Sequence, residues 1–95
     1  MDEKNTRQLL QLLVDEGKAL NLEGKLYFHT RVVDQGRLRL LQKYREVQEL
    51  TMSDFRILVE TSRKYALPLL NYYESQGYTT RRGDVRVAGA KLRLD

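Results

Sequence analysis

Residues 51–88 read TMSDFRILVETSRKYALPLLNYYESQGYTTRRGDVRVA, a run in which two helix starts precede one hairpin turn. Thr51 and Asp54 have the spacing of a capping box, in which a hydroxyl and a carboxylate each bond a free backbone N–H. This spacing predicts a helix over about residues 53–60. Its apolar side chains are Phe55, Leu58 and Val59.

A second helix is predicted over 63–76, after a break at Thr61 and Ser62 that caps it. Because proline lacks an N–H, Pro68 predicts either a bent first turn or a late start of the regular helix. Gly77 is expected to end the helix. The predicted core stripe consists of Ala66, Leu69, Leu70 and Tyr73, and the opposite side of Lys64, Pro68, Asn71 and Ser75.

A β-hairpin is predicted directly after this helix, with strands over 78–82 and 85–88 around Gly83 and Asp84. Two helices joined by a short break match a helix-turn-helix. A hairpin that follows the second helix corresponds to the wing of a winged-helix domain. The predicted fold class is therefore α+β, mostly α with small β-hairpins, organised as a winged helix.

The upstream residues supply the rest of this domain and part of another one. A helix over 30–45, with Thr30 as its N-cap, and an extended piece over 47–50 complete the winged helix. The remaining predicted elements are a helix over 6–16 and two strands over 18–22 and 25–29.

An internal repeat connects the two ends of the chain. At an offset of 60 residues, Leu9-Leu10-Gln11 falls on Leu69-Leu70-Asn71 and Gly17 falls on Gly77. Chance similarity of two amphipathic helices that end in glycine is the alternative. Since a lone helix and hairpin bury their apolar face poorly, we expect the first part of the chain to pack on the second, and the chain to be the C-terminal end of a longer protein. The predicted parts are an incomplete winged-helix unit over 1–29, a complete one over 30–90 and a basic tail over 91–95. The residues from Gly89 onward are expected to be frayed, although Leu92 and Leu94 could add a strand.

Composition excludes several classes of function. The 95 residues include no cysteine and one histidine, so disulfides, thiolate chemistry and Cys- or His-based metal clusters are excluded. No apolar run approaches the ~20 residues of a membrane span, and the charged N-terminus has no signal-peptide core. Neither a phosphate-binding glycine loop nor a nucleophile–base pair is present. We therefore predict a cytoplasmic protein without a cofactor of its own that is not an enzyme.

The positive charge is concentrated at one end of the chain. Residues 1–60 carry ten basic and ten acidic side chains, whereas residues 61–95 carry seven basic and three acidic ones. A field of one sign attracts polyanions, of which nucleic acid is the commonest, although a solvated basic face also keeps a protein in solution.

Two groups of cations are candidates for such binding. Arg63 and Lys64 lie in the first turn of a predicted helix, where cations oppose the helix dipole and a bound phosphate would offset that cost. Arg82 and Arg86 flank the hairpin turn on opposite strands and are expected to reach a phosphate, with Arg81 beside them. The alternative for Arg63 and Lys64 is that both side chains are simply solvated. The alternative for the wing arginines is the ordinary charge of an edge strand, which discourages aggregation.

Aromatic residues add a further possibility. Tyr44 and Tyr73 fit the predicted core stripes, whereas Tyr65, Tyr72 and Tyr78 lie nearer a core edge and could stack on an unpaired base. Packing is the commoner role for any one of them. The lone histidine, His29, is expected to be structural.

The run Thr61-Ser62-Arg63-Lys64-Tyr65-Ala66-Leu67-Pro68-Leu69-Leu70, with Tyr72-Tyr73, Gly77 and the wing 81–87, resembles the last winged-helix domain of the bacterial selenocysteine-specific elongation factor SelB. Leu9 to His29 also resembles the end of the preceding winged-helix domain in that family. The resemblance covers nearly the whole chain, and its motifs are more restrictive than a generic helix-turn-helix.

The resemblance implies an RNA-binding module that recognises the selenocysteine insertion (SECIS) hairpin of mRNA. Such a module would tether the factor, with its GTP and selenocysteinyl-tRNA, beside a UGA codon at the ribosome; the GTP would bind an upstream domain that this sequence lacks. We expect a monomer with no membrane contact. The RNA-binding residues that the resemblance implies are Ser62, Arg63, Lys64, Tyr65, Arg81, Arg82 and Arg86.

Two other functions stay open at this point. A winged-helix transcriptional regulator would place the helix over 63–76 in the major groove of DNA. A protein-interaction winged helix would instead use the apolar surface of residues 1–29 as its interface.

Overall fold

The computed structural model describes residues 3–23 and 26–92 and divides into two compact units, Met1–Asp34 and Gln35–Asp95. We call these the N-terminal unit and the C-terminal unit and describe each by itself. The proposal that residues 1–29 and 30–90 are separate winged-helix parts stays a prediction, as does their packing on each other.

The N-terminal unit contains a helix and a hairpin. Helix α1 (Glu3–Asp15) ends just before Gly17, and the antiparallel strands β1 (Ala19–Leu22) and β2 (Leu26–His29) follow. Ala19 pairs with His29 and Leu22 with Leu26, so three residues separate the paired strand ends instead of the two that strands over 18–22 and 25–29 imply.

Helix α2 (Thr30–Lys43) begins differently from the prediction. Thr30 is already helical, and its hydroxyl donates to the Lys18 carbonyl at 3.2 Å instead of capping the helix. The capping acceptor is the Nδ1 atom of His29, which receives the backbone N–H of Arg31 at 3.0 Å. The assignment of Thr30 as N-cap is therefore wrong, and the structural role expected for His29 is that of a cap.

Helices α2, α3 (Met52–Leu58) and α4 (Arg63–Ser75) surround one apolar core in the C-terminal unit. Tyr73, Phe55, Leu40 and Leu70 are its largest fully buried side chains, and the rings of Phe55 and Tyr73 meet edge to face with centroids 6.1 Å apart. Tyr44 is buried as well. The predicted core stripe of α4 is thus confirmed.

The helix start predicted for α3 is confirmed, whereas the predictions for Pro68 in α4 are wrong in part. Thr51 and Asp54 form the predicted capping box, with both reciprocal hydrogen bonds present. Pro68 lies inside a helix that is regular from Arg63 onward, so the helix does not start late. Pro68 is also buried, although it was expected on the side of the helix opposite the core stripe.

A three-stranded antiparallel sheet completes the C-terminal unit. The strands β3 (Glu49–Thr51), β4 (Thr79–Arg82) and β5 (Val85–Ala88) have the order β3-β5-β4. The hairpin β4–β5 is the predicted wing. Strand β5 is the central strand of the sheet and pairs with β3 on its other side.

The residues after the wing are held in place, which corrects the expectation of a frayed tail for residues 89–92. Gly89 donates to the Tyr78 carbonyl at 2.8 Å, and Lys91 donates to the Gly77 carbonyl at 2.9 Å. A Cβ atom at Gly89 would collide with the backbone of Gly77, so this close approach requires glycine. Leu92 is buried at 5% exposure but forms no strand, and Leu94 lies outside the described residues.

Candidate nucleic-acid interface

The first turn of α4 presents cations and free backbone donors together. Arg63 and Lys64 are exposed, and the turn contains no acidic side chain. Ser62 is the N-cap by position, but its hydroxyl makes no capping hydrogen bond. The N–H groups of Tyr65 and Ala66 both donate to the Ser62 carbonyl, so the backbone donors without an intrahelical acceptor are those of Arg63 and Lys64, the residues that also carry the two positive side chains.

Tyr65 lies directly beside these charges. The Nζ atom of Lys64 is 5.5 Å from the centroid of the Tyr65 ring, which is 40% exposed. A cation over an aromatic face attracts the negative π cloud, so this contact keeps the ammonium group next to the ring. The helix start, defined here as Ser62, Arg63, Lys64 and Tyr65, therefore offers both charge and an aromatic surface.

An open hollow adjoins the helix start. It measures about 360 Å³ and is lined by Arg56, Ile57, Glu60, Thr61 and Ser62. Ile57 is 73% exposed, an unusual degree of exposure for a large aliphatic side chain. The sequence analysis missed Arg56 and Ile57, although the position of Ile57 outside the predicted core set of α3 was an available signal.

The wing carries two further exposed cations, Arg81 and Arg82, near the end of β4. Arg81 donates through Nε to the Gly83 carbonyl at 3.1 Å, across the turn. Arg82 pairs with Val85 and so faces the opposite side of the hairpin from Arg81.

Arg86 does not belong to this exposed set. Its side chain is 9% exposed, and its Nε donates to Oε1 of Glu74 on α4. The hydroxyl of Tyr44 donates to the Arg86 carbonyl at 2.9 Å. Burial raises the pKa of Tyr44 to about 12. The expectation that Arg86 reaches a phosphate is therefore corrected, because a buried guanidinium paired with a carboxylate is not available to a ligand.

The tyrosines divide between packing and surface roles. Tyr78 is half-buried, its ring lies 6.1 Å from Tyr73, and the guanidinium of Arg37 sits 5.9 Å over it. Tyr72 is half-buried 6.0 Å from the same Tyr73 ring. Tyr65, the most exposed of the three, is the one best placed for base stacking.

The exposed candidates form two groups, one at the start of α4 and the other on the wing, which packs near the end of α4. Glu74, which holds Arg86 of the wing, lies near the C-terminal end of α4. At 1.5 Å per residue, Arg63 is about 16 Å from Glu74 along the helix axis. A ligand that contacts both the helix start and the wing must therefore span a comparable length.

Other kinds of site find little support in the part of the chain that the structure describes. No group of three or more metal-ligating side chains occurs within residues 3–23 and 26–92. No helix in those ranges has the length and apolar character needed to cross a membrane.

The helix-turn-helix of α3 and α4, followed by the wing β4–β5, defines a winged-helix domain. Residues 43–88 match the family model described as "Elongation factor SelB, winged helix". Over these residues the chain is similar to the winged-helix region of the SelB family of elongation factors.

Two relatives give the extent of this similarity. The chain is 32% identical over 83 residues to a selenocysteine-specific elongation factor from Desulfomicrobium baculatum; the match covers 87% of the chain but 13% of that protein. A solved structure, the mRNA-binding domain of elongation factor SelB from E. coli in complex with SECIS RNA, matches with a TM-score of 0.80 at 22% identity. That match covers 94% of this chain and 74% of the other. The predicted resemblance to the SelB winged-helix region and the winged-helix fold are thus confirmed.

Proposed function

We propose that this chain binds a SECIS hairpin of mRNA and thereby holds a selenocysteine-specific elongation factor near the UGA codon that it decodes. The family match and the likeness to a SelB domain solved with SECIS RNA support this proposal. Because the match is to a translation factor, the alternative of a DNA-binding transcriptional regulator is not favoured.

The two exposed groups divide the work of binding in this proposal. The helix start and the wing residues Arg81 and Arg82 contact phosphates, which fix the orientation of the RNA. The Tyr65 ring and the adjoining hollow contact unpaired bases of the loop or of a bulge, because bases inside an A-form stem are poorly accessible to side chains.

The observation that carries the proposal is the uncompensated charge at the helix start. Two cations at the positive end of a helix disfavour the free protein by about 0.3–1 kcal/mol each. Phosphate oxygens offset this cost, because they pair with both side chains and accept hydrogen bonds from the free N–H groups.

A titration of the 95-residue chain with a fluorescein-labelled RNA hairpin that follows a selenocysteine UGA codon tests the proposal. At about 0.1–0.2 M salt, we expect Arg63→Ala and Lys64→Ala each to weaken binding and to reduce the salt slope by about one phosphate contact. Lys43→Ala is the matched control, since Lys43 lies outside both groups and pairs with Glu46. Unchanged affinity in both variants would refute the assignment of the helix start.

Competition separates the two kinds of nucleic acid. An unlabelled SECIS hairpin is expected to displace the labelled one at much lower concentration than duplex DNA of equal length and charge. Equal competition by the two would show charge-driven binding without recognition of RNA.

The whole factor defines the remaining context. We propose that it acts in the cytoplasm, where it reaches the ribosome through the mRNA, and that GTP and the aminoacylated tRNA bind other domains of the factor. We further propose that this chain is monomeric and contributes RNA binding without catalysis or a cofactor of its own.

A further inference from the structure

Three elements of the C-terminal unit meet at Arg86. The side chain of Arg86, on β5, is bonded to Glu74 of α4, and its carbonyl accepts the Tyr44 hydroxyl just beyond the end of α2. Buried cations are rare unless paired, and these two bonds connect β5 to α4 and to the residue that follows α2.

The exposed cations of the wing depend on the position of β5. β4 is the outer strand of the sheet and pairs only with β5 within the described residues. Arg81 lies directly opposite Arg86 in the register. Residues opposite each other in a sheet point to the same face, and like charges in such a pair repel. Glu74 neutralises Arg86 and so removes this repulsion from Arg81.

From these contacts we infer that Glu74 is a positioning residue for RNA binding: through Arg86 it fixes the wing and so keeps the exposed Arg81 side chain in position for the RNA. This inference rests on the proposed function. Glu74 itself needs no contact with the RNA, since its exposed fraction is small and its carboxylate is used by Arg86.

Glu74→Gln tests the inference because glutamine preserves the shape but not the charge. We expect it to weaken binding of the labelled hairpin by about tenfold, the equivalent of one lost charge-assisted contact. The sign is informative, because removing a negative charge from the protein would by itself tighten RNA binding. Glu46→Gln is the matched control: it makes the same charge change at an exposed pair with Lys43 and is expected to leave binding equal or slightly tighter.

A double-mutant cycle with Arg81→Ala distinguishes positioning from general destabilisation. If Glu74 acts through Arg81, Glu74→Gln costs much less in the Arg81→Ala background, with all measurements made well below the melting temperature of each variant. Equal cost in both backgrounds would overturn the inference while leaving the RNA-binding function intact. If neither Arg81→Ala nor Arg82→Ala weakens binding, the wing is not part of the interface and both proposals for it fail.

A second variant keeps the test valid if Glu74→Gln does not fold. Tyr44→Phe removes only the hydroxyl that bonds the Arg86 carbonyl and leaves the ion pair in place. We expect a smaller loss of affinity with the same dependence on Arg81. Full affinity in a folded Tyr44→Phe variant, with Glu74→Gln unfolded, would count against positioning of the wing by this contact set.

Discussion

Replacing Gly36 by alanine is expected to destabilise the C-terminal unit, although alanine favours helices. Gly36 lies in the middle of α2 and is buried against Tyr73 of α4. A Cβ atom built at Gly36 would collide with the Tyr73 hydroxyl and lie 3.3 Å from Cζ of the same ring. Glycine is therefore required at this position because the two helices approach closely there.

The size of the effect follows from two opposing contributions. In an exposed helix, Gly→Ala stabilises by about 1 kcal/mol. Inserting a methyl group into a packed core costs about 1–3 kcal/mol, and the upper part of that range applies because Tyr73 is fully buried. Its ring is also surrounded by Phe55, Tyr72 and Tyr78, with centroids 6.0–6.1 Å away, so it has little room to move. The net loss is about 1–2 kcal/mol.

Urea unfolding followed by circular dichroism measures this loss directly. The control is Tyr73→Phe, which removes the colliding oxygen and leaves the ring in place. In that background, Gly36→Ala should cost at least about 1 kcal/mol less than in the natural chain, a coupling typical of residues in contact. If Gly36→Ala instead stabilises the natural chain by the helix-propensity amount, the argument from the close approach of α2 and α4 is refuted.

Two further perturbations test the backbone and the buried wing contact. Glu60, in the turn between α3 and α4, has a φ of 55°, a conformation that favours glycine. Glu60→Gly should therefore raise the free energy of unfolding in urea by about 0.5–1 kcal/mol. Glu60→Ala, which loses the same charge but keeps Cβ, should not raise it. Burial raises the pKa of Tyr44 from 10.0 to about 12, so the fold favours its neutral form. The stability that Tyr44 contributes is fully present below pH 10 and is lost as the pH rises from 10 to 12. The Tyr44→Phe variant should not show this part of the loss of stability at alkaline pH. An identical dependence of stability on alkaline pH in the two proteins would contradict this assignment.

Short-range signals made the helix-turn-helix and the wing predictable from the sequence. The capping box at Thr51 and Asp54 depends on groups three residues apart, and the hairpin depends on a turn centred on Gly83. Such patterns determine local geometry with little help from the rest of the chain. The exposure of Arg63 and Lys64 was predictable for the same reason, since it follows from their place in the first turn of the helix.

Long-range pairing explains where the sequence analysis failed. In the run Val85-Arg86-Val87, alternation suggests that the valines face the core and the arginine faces solvent. The structure shows the reverse preference, with Arg86 buried and both valines half-buried. Burial of Arg86 depends on Glu74, twelve residues away, and on Tyr44, forty-two residues away. No local pattern identifies those partners.

A second failure has the same kind of cause. Thr30 has the residue type of an N-cap, but its hydroxyl bonds the Lys18 carbonyl across the hairpin. The capping role passes to His29, whose Nδ1 accepts the Arg31 N–H. Residue type predicts which groups can cap a helix, whereas the strand that precedes the helix decides which one does.

The burial of Arg86 separates two roles of the basic residues, attraction of an anion by exposed charge and positioning of the wing by a buried ion pair. Residues 61–95 contain an excess of four positive charges, equal to the formal net charge of the chain, +4. Because Arg86 is neutralised by Glu74, this pair adds nothing to that excess, and the field that attracts an anion arises from the exposed cations. In the inference above, the pair affects binding by placing the wing. Removing the charge of Glu74 makes the protein more positive, yet it should lower the affinity for RNA. Net charge alone predicts the opposite effect, a higher affinity.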